Sequence, residues 1–155
     1  MRGIEFDEEM KEMKKIIFIA VMAVFLVTTY LVAMEIGTVT RVVDGDTFVV
    51  EINGEELKVR LLGVDTPESV KSGTAVQPGA LDASDFTKRL EGRQVVLTYD
   101  DKKFGYYGRL LAYAWVEVDN GQLICWNTEL IKRGHSELYT KYKFGGIGWF
   151  REAIE

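Results

Sequence analysis

The dipeptide Asn53-Gly54 stands between two runs that alternate apolar and polar residues, Thr47 to Ile52 and Glu56 to Leu62. Asn-Gly readily takes the positive φ angles of a two-residue loop, and a period of two marks a half-buried strand. This stretch is therefore read as a β-hairpin. A third run of the same kind, Ile36 to Val43, precedes it, so residues 36–62 predict a three-stranded antiparallel meander. Between the first two runs the sequence reads VVDGDTFVV, Val42 to Val50. Its flanks suit a pleated surface, whereas Asp44, Gly45 and Asp46 do not. A bulge or turn accounts for the glycine. It does not account for two carboxylates at the edge of a core, where an unpaired charge is costly. A bound metal ion would.

The rest of the chain supplies the partners of that meander. Glu68 to Gly79 is polar and reads as a surface loop. Ala80 to Glu91 reads as a helix with Ala83, Phe86 and Leu90 on one face and Gly92 as its stop. Val95 to Tyr99 is a fourth strand, Asp101 to Gly108 a loop, and Arg109 to Val118 a fifth strand. Asp119-Asn120-Gly121 turns the chain into Gln122 to Trp126. Asn127 is placed to cap a helix that runs to about Arg133 and closes at Gly134. A glycine-spaced tail follows, with Trp149 to Glu155 as a last helical turn. The expected class is α+β, mainly β. It is a five-stranded barrel of the oligonucleotide/oligosaccharide-binding type (OB-fold) with two to three helices, preceded by an N-terminal hydrophobic helix.

That first helix comes from Ile16 to Ala33, 18 residues without a charge. At about 1.5 Å per residue it is roughly 27 Å long, borderline for a bilayer. Lys11, Lys14 and Lys15 precede it, which favours a cytoplasmic N-terminal side. A cleaved signal peptide and an uncleaved anchor both fit. The bulky Leu31 at position −3 counts against cleavage after Ala33. A buried core helix fits poorly, because the run has no polar face. The expected organisation is a charged extension over residues 1–15, a signal peptide or membrane anchor over 16–34, and a barrel domain over 35–155. The domain is then secreted or extracytoplasmic, with a membrane contact possible through residues 16–33.

Charge limits the partners. Residues 36–155 carry 15 basic and 18 acidic side chains, a net of −3. A domain that binds nucleic acid through bulk charge is strongly basic, so a polyanion site here has to be local. The single cysteine, Cys125, lies in an apolar run and reads as a small core residue, and one cysteine forms no internal disulfide.

Two further segments carry chemistry. RLLGVDTPE, Arg60 to Glu68, ends a strand in three closely spaced polar residues around Pro67. The proline pushes Thr66 to an extended shape and so fixes the direction of its carbonyl. YYGRLLAY, Tyr106 to Tyr113, frees the backbone at Gly108 just before Arg109. Asp46, Asp65, a backbone carbonyl and waters suit Ca²⁺, a hard ion that takes oxygen ligands. No His/Cys cluster suits zinc, since His135 is the only histidine. Arg60 and Arg109 can grip a phosphate with bidentate forks. Glu68 is left to position or deprotonate a water.

DGDT at Asp44 to Thr47, RLLGVDTPE at Arg60 to Glu68 and YGR at Tyr107 to Arg109, in that order, resemble the staphylococcal nuclease (thermonuclease) family. The resemblance runs from about Ile36 to Lys143. It implies a calcium-dependent endonuclease on an OB-fold barrel that hydrolyses DNA and RNA to 3′-phosphate and 5′-hydroxyl ends. It further implies that Asp46, Asp65 and the Thr66 carbonyl hold Ca²⁺, and that Glu68 is the general base or water-orienting residue. Arg60 and Arg109 would bind the phosphate, and Tyr107, Tyr142 and Lys143 the substrate, single-stranded DNA or RNA. Asp44 is expected to be structural, and Gly45 to supply the bend that aims Asp46. The sequence departs from the family at Thr140, where a second nucleotide-contacting tyrosine often lies, with Tyr139 one place before it. Tyr106 stands where a lysine is frequent, and Gly105 where an acid is. Nothing demands more than a monomer. The alternative is a catalytically inactive OB-fold module that binds nucleic acid or protein.

Overall fold

The computed structural model describes residues 2–32, 34–68, 77–141 and 144–154. The chain divides into two units, Met1–Met34 and Glu35–Glu155. The first is one helix, α1, Arg2–Val32. Its apolar side chains between Ile16 and Leu26 are exposed, with Phe18 at 67%. Among the described residues no helix is long and apolar enough to cross a membrane.

The second unit is built on the expected meander: β1 (Met34–Asp44), β2 (Thr47–Ile52) and β3 (Glu55–Leu61). The β2–β3 loop is Asn53-Gly54, at φ 53° and 85°, and Ile52 pairs with Glu55 across it. A short strand, β4 (Val64–Asp65), follows. Then come helix α2 (Ala80–Lys88) and two long strands, β5 (Gln94–Phe104) and β6 (Leu110–Glu117). Next are β7 (Leu123–Cys125), α3 (Trp126–Lys132), β8 (Glu137–Leu138) and α4 (Ile147–Ile154). The main sheet runs β3-β2-β1-β5-β6-β7, and a parallel pairing of β3 with β6 closes β1, β2, β3, β5 and β6 into a five-stranded barrel. β4 and β8 form a separate two-stranded ribbon.

The barrel closes because its inward residues are apolar and large. Phe48, Val50, Val59, Leu61, Leu97 and Leu110 are fully or almost fully buried. Leu90 caps one end from the turn after α2, and Leu130 and Phe150 pack in from α3 and α4.

Several expectations change. The segment Asp101 to Gly108, read as a loop, is strand as far as Phe104. Phe104 pairs with Leu110 after an irregularity in register, and the chain reverses through a single 3₁₀ turn, Tyr106–Gly108. Asp100 and Asp101 mask strand propensity, but the pairing of β5 with β6 overrides it. Asn127 does not cap α3. That helix starts at Trp126 with Cys125 in the capping position, and Asn127 is buried with its amide bound to the barrel. The last helix is two turns rather than one, because Phe150 is buried against Phe144 while Trp149 stacks on Trp115.

Candidate active site

The turn between β1 and β2 sets the first carboxylate. Asp44 pairs with Thr47, leaving Gly45 and Asp46 as the loop. Asp44 is buried, and its Oδ1 accepts from the Gly45 N–H at 2.8 Å and from the Ser84 hydroxyl at 3.2 Å. The Thr87 hydroxyl donates to the Gly45 carbonyl at 2.6 Å. Helix α2 thus holds this turn through two side chains on its buried face. Gly45 is not in the left-handed region. It is needed for space instead of for a special bend, because a Cβ there would lie 2.8 Å from both the Ala83 Cβ and the Thr66 Oγ1.

Asp46 is 6% exposed. Its Oδ1 accepts from the Thr47 hydroxyl at 2.8 Å, and its Oδ2 from the Thr66 N–H at 3.2 Å. The Leu61 N–H donates to the Asp46 carbonyl at 2.9 Å. In the β2–β3 register Thr47 faces Arg60, which brings the Arg60 guanidinium to Asp46. Nη1 of Arg60 is ion-paired with Asp46 Oδ2, and Nη2 donates to Asp65 Oδ1 at 3.1 Å. Both acids therefore converge on one positive charge. Asp65 is held by its own strand: its N–H donates to the Ser136 hydroxyl at 2.9 Å, and β4 pairs with β8.

The parallel closure of the barrel supplies the second arginine. Val59 pairs with Leu110 and Arg60 with Leu111, so Arg109 enters beside Arg60. The 3₁₀ turn aims it. Tyr107 lies at φ 65° and Gly108 at φ 68°, after which Arg109 returns to extended backbone. The Gly105 N–H donates to the Arg109 carbonyl at 2.8 Å and closes the turn. The Arg109 Nε is buried without a hydrogen-bond partner. Burial pulls the Arg60 pKa below its ordinary value. The Asp65 charge opposes this, and the Arg109 charge adds to it. Two guanidiniums crowd one site, and one of them has a donor to spare. A phosphate would relieve both.

The arginines and Tyr107 line a cavity of about 970 Å³ together with Asp101, Lys102 and Tyr139. Tyr107 is 96% exposed at its mouth. Glu68 is exposed. Its N–H donates to the Gln77 side chain at 2.9 Å and its carbonyl accepts from the Gln77 N–H at 3.2 Å, which ties Glu68 to Gln77. Among the described residues its carboxylate makes no hydrogen bond or ion pair. Tyr142 and Lys143 lie outside the described residues.

The donor set for a metal is oxygen throughout: the carboxylates of Asp46 and Asp65, with Thr66 between them and Glu68. The Thr66 hydroxyl is buried and unpartnered beside the acids. Two carboxylates that converge on one cation, with a spare oxygen next to them, are the hard ligands that a divalent ion takes, provided that the Arg60 guanidinium gives way. Among the described residues no cluster of three or more His, Cys, Asp or Glu side chains gathers as a metal site. Ser84, Thr87 and Ser136, which position the acids, escaped the sequence reading. The only available signal was two hydroxyl side chains on the apolar stripe of α2, and Ser136 carries no pattern at all.

Comparison with known proteins follows the same residues. The family described as staphylococcal nuclease homologue matches residues 58–146, more than half of the chain. A thermonuclease of Staphylococcus hyicus is 46% identical over 97 residues, covering 62% of this chain and 54% of that protein. An endonuclease of Bacillus subtilis is 45% identical over 83 residues, 52% of this chain and 39% of that protein. An uncharacterized protein of Methanocaldococcus jannaschii is 38% identical over 122 residues, 66% of this chain and 58% of that protein. The chain spans about half the length of these curated relatives.

Proposed function

The chain belongs to the staphylococcal nuclease family, and from that premise we propose that it is a calcium-dependent endonuclease acting on single-stranded DNA and RNA. The observation that carries the reading is the convergence of Asp46 and Asp65 on Arg60, with the unpartnered Arg109 Nε in the adjoining cavity. Neither an inert barrel nor a purely structural ion site gives the two arginines a joint purpose. The printed names of the thermonuclease and endonuclease relatives support it.

In this reading Asp46, Asp65 and the Thr66 carbonyl hold Ca²⁺. Held there, it would neutralise negative charge at the phosphoryl group. Glu68 orients a water and takes its proton as the water oxygen bonds to phosphorus. Arg60 and Arg109 grip the phosphoryl oxygens, where negative charge grows as the transition state forms. The P–O5′ bond breaks, the proton passes to the departing 5′ oxygen, and 3′-phosphate and 5′-hydroxyl ends result. Tyr107, Tyr142 and Lys143 contact the substrate. The enzyme acts as a monomer, and the charge-free run from Ile16 to Ala33 directs it out of the cytoplasm or tethers it to the membrane.

Asp46→Ala tests the metal assignment. Titration calorimetry with Ca²⁺ on the full chain should show binding in the native protein and at least a tenfold weaker affinity in the variant, as expected when one of two carboxylate ligands is lost. Equal affinity would remove Asp46 from the site.

A further inference from the structure

The reversal between β5 and β6 carries more than Arg109. Tyr106 and Tyr107 stand side by side on its 3₁₀ turn, 75% and 96% exposed. Tyr107 is held in the left-handed region, which is unfavourable for a bulky residue. A turn that keeps two aromatic rings in water, one of them strained, gains no packing from them. Lys102, four residues before Tyr106 on β5, places its ammonium 5.2 Å from the Tyr106 ring centroid. No carboxylate pairs with it among the described residues. All three residues line the cavity that holds Arg60 and Arg109.

We infer that Lys102 and Tyr106 form an additional nucleotide subsite, in which the Tyr106 ring stacks an unpaired base and the Lys102 ammonium binds a phosphate of the same strand. The inference rests on the nuclease reading for the identity of the strand. Its chemistry is independent of the metal and of Glu68. An aromatic face accepts any base, and base–aromatic stacking is a large term in single-strand binding. The charge of the domain makes such a term necessary: at a net of −3 over residues 36–155, bulk attraction for a polyanion is absent, so affinity has to come from local contacts. The closed turn fixes the subsite relative to the phosphate-binding arginine, because the Gly105–Arg109 hydrogen bond spans both tyrosines. A base on Tyr106 would thus set the register of the strand at Arg109.

The test is binding of the full chain, with Ca²⁺, to a fluorescein-labelled oligothymidylate with phosphorothioate linkages that slow cleavage, followed by anisotropy. A matched strand lacking its bases is the second probe. Tyr106→Ala should weaken binding of the base-bearing strand roughly tenfold and leave the abasic strand unchanged, while Tyr106→Phe retains the native affinity. Lys102→Ala should weaken both strands and reduce the slope of log affinity against log salt by about 0.7, the value for one lost single-strand phosphate contact. An unchanged affinity in Tyr106→Ala, or an equal loss on both strands, would overturn the stacking role. An unchanged salt slope would overturn the phosphate contact. Cleavage of an ordinary oligonucleotide, measured in parallel, separates this from the nuclease reading. A chain that binds through Tyr106 but cuts nothing keeps the subsite and loses the enzyme. A chain that cuts with Tyr106 irrelevant does the reverse.

Discussion

Arg60 holds the place of a cation between Asp46 and Asp65. A divalent ion that takes both carboxylates has to displace it, and the displaced guanidinium is then free to meet a phosphate. Removing the side chain should therefore have opposite effects on the two states. Arg60→Gln leaves Asp46 buried and unpaired in the metal-free protein, at a cost on the order of 3 kcal/mol. If the acids hold Ca²⁺ as proposed, the same change removes its competitor. We expect a lower melting temperature than native without Ca²⁺ and a larger upward shift on adding it, read by calorimetric melting. Equal shifts in the two proteins would mean that Arg60 and the ion do not share the site. At this scale the sequence was informative about the acids, pointed to Gly45 for its bend and not for its space, and was silent about Ser84 and Ser136. Asp44 and Asp46 stand out as carboxylates where a strand should be apolar, and Asp65 as one of the polar residues crowded at a strand end around Pro67. Gly45, Ser84 and Ser136 matter through contacts that only the fold creates: a 2.8 Å approach to Ala83, a bond to Asp44, and a bond to the Asp65 N–H.

Elements that depend on local signals were legible, and those that depend on distant pairing were not. Asn53-Gly54 encodes its own hairpin. The extension of β5 to Phe104 rests on pairing with β6, and the parallel β3–β6 closure that unites Arg60 with Arg109 has no local signature. Asn127 shows the same limit. Its position before a helix suggests a cap, yet its Oδ1 accepts from the Ala114 N–H at 2.9 Å, and its Nδ2 donates to the Leu62 carbonyl at 2.9 Å and the Ala112 carbonyl at 3.1 Å. One fully buried amide thus ties α3 to β6 and to the chain just before Asp65. Asn127→Ala would strand the Ala114 N–H and the Leu62 carbonyl. Each buried unsatisfied group costs about 1–3 kcal/mol, so urea denaturation should show a loss of at least about 2 kcal/mol. A loss within about 0.5 kcal/mol, typical of a surface change, would contradict the bridging role.

For the whole molecule, the barrel carries the family membership, and the site is assembled where its closure brings β3, β6 and the β1–β2 turn together. Net charge helped by exclusion: an acidic domain that binds a polyanion has to do so through few, well-placed groups, and in the proposed function these are the arginine pair, a metal ion on the convergent acids, and the exposed tyrosines. In the proposed function this assembly hydrolyses phosphodiesters with Glu68 handling the water. Its most direct test is a cleavage assay of the full chain on single-stranded DNA, with Ca²⁺ and then with a chelator, alongside Glu68→Gln. Glu68 is exposed and its contacts run through the backbone, so the variant should fold normally. We expect calcium-dependent cleavage by the native chain and a rate in Glu68→Gln lower by about 10²–10⁴-fold, the usual contribution of a positioned general base. Native-level cleavage by Glu68→Gln, or none by a folded, calcium-binding native chain, would contradict it.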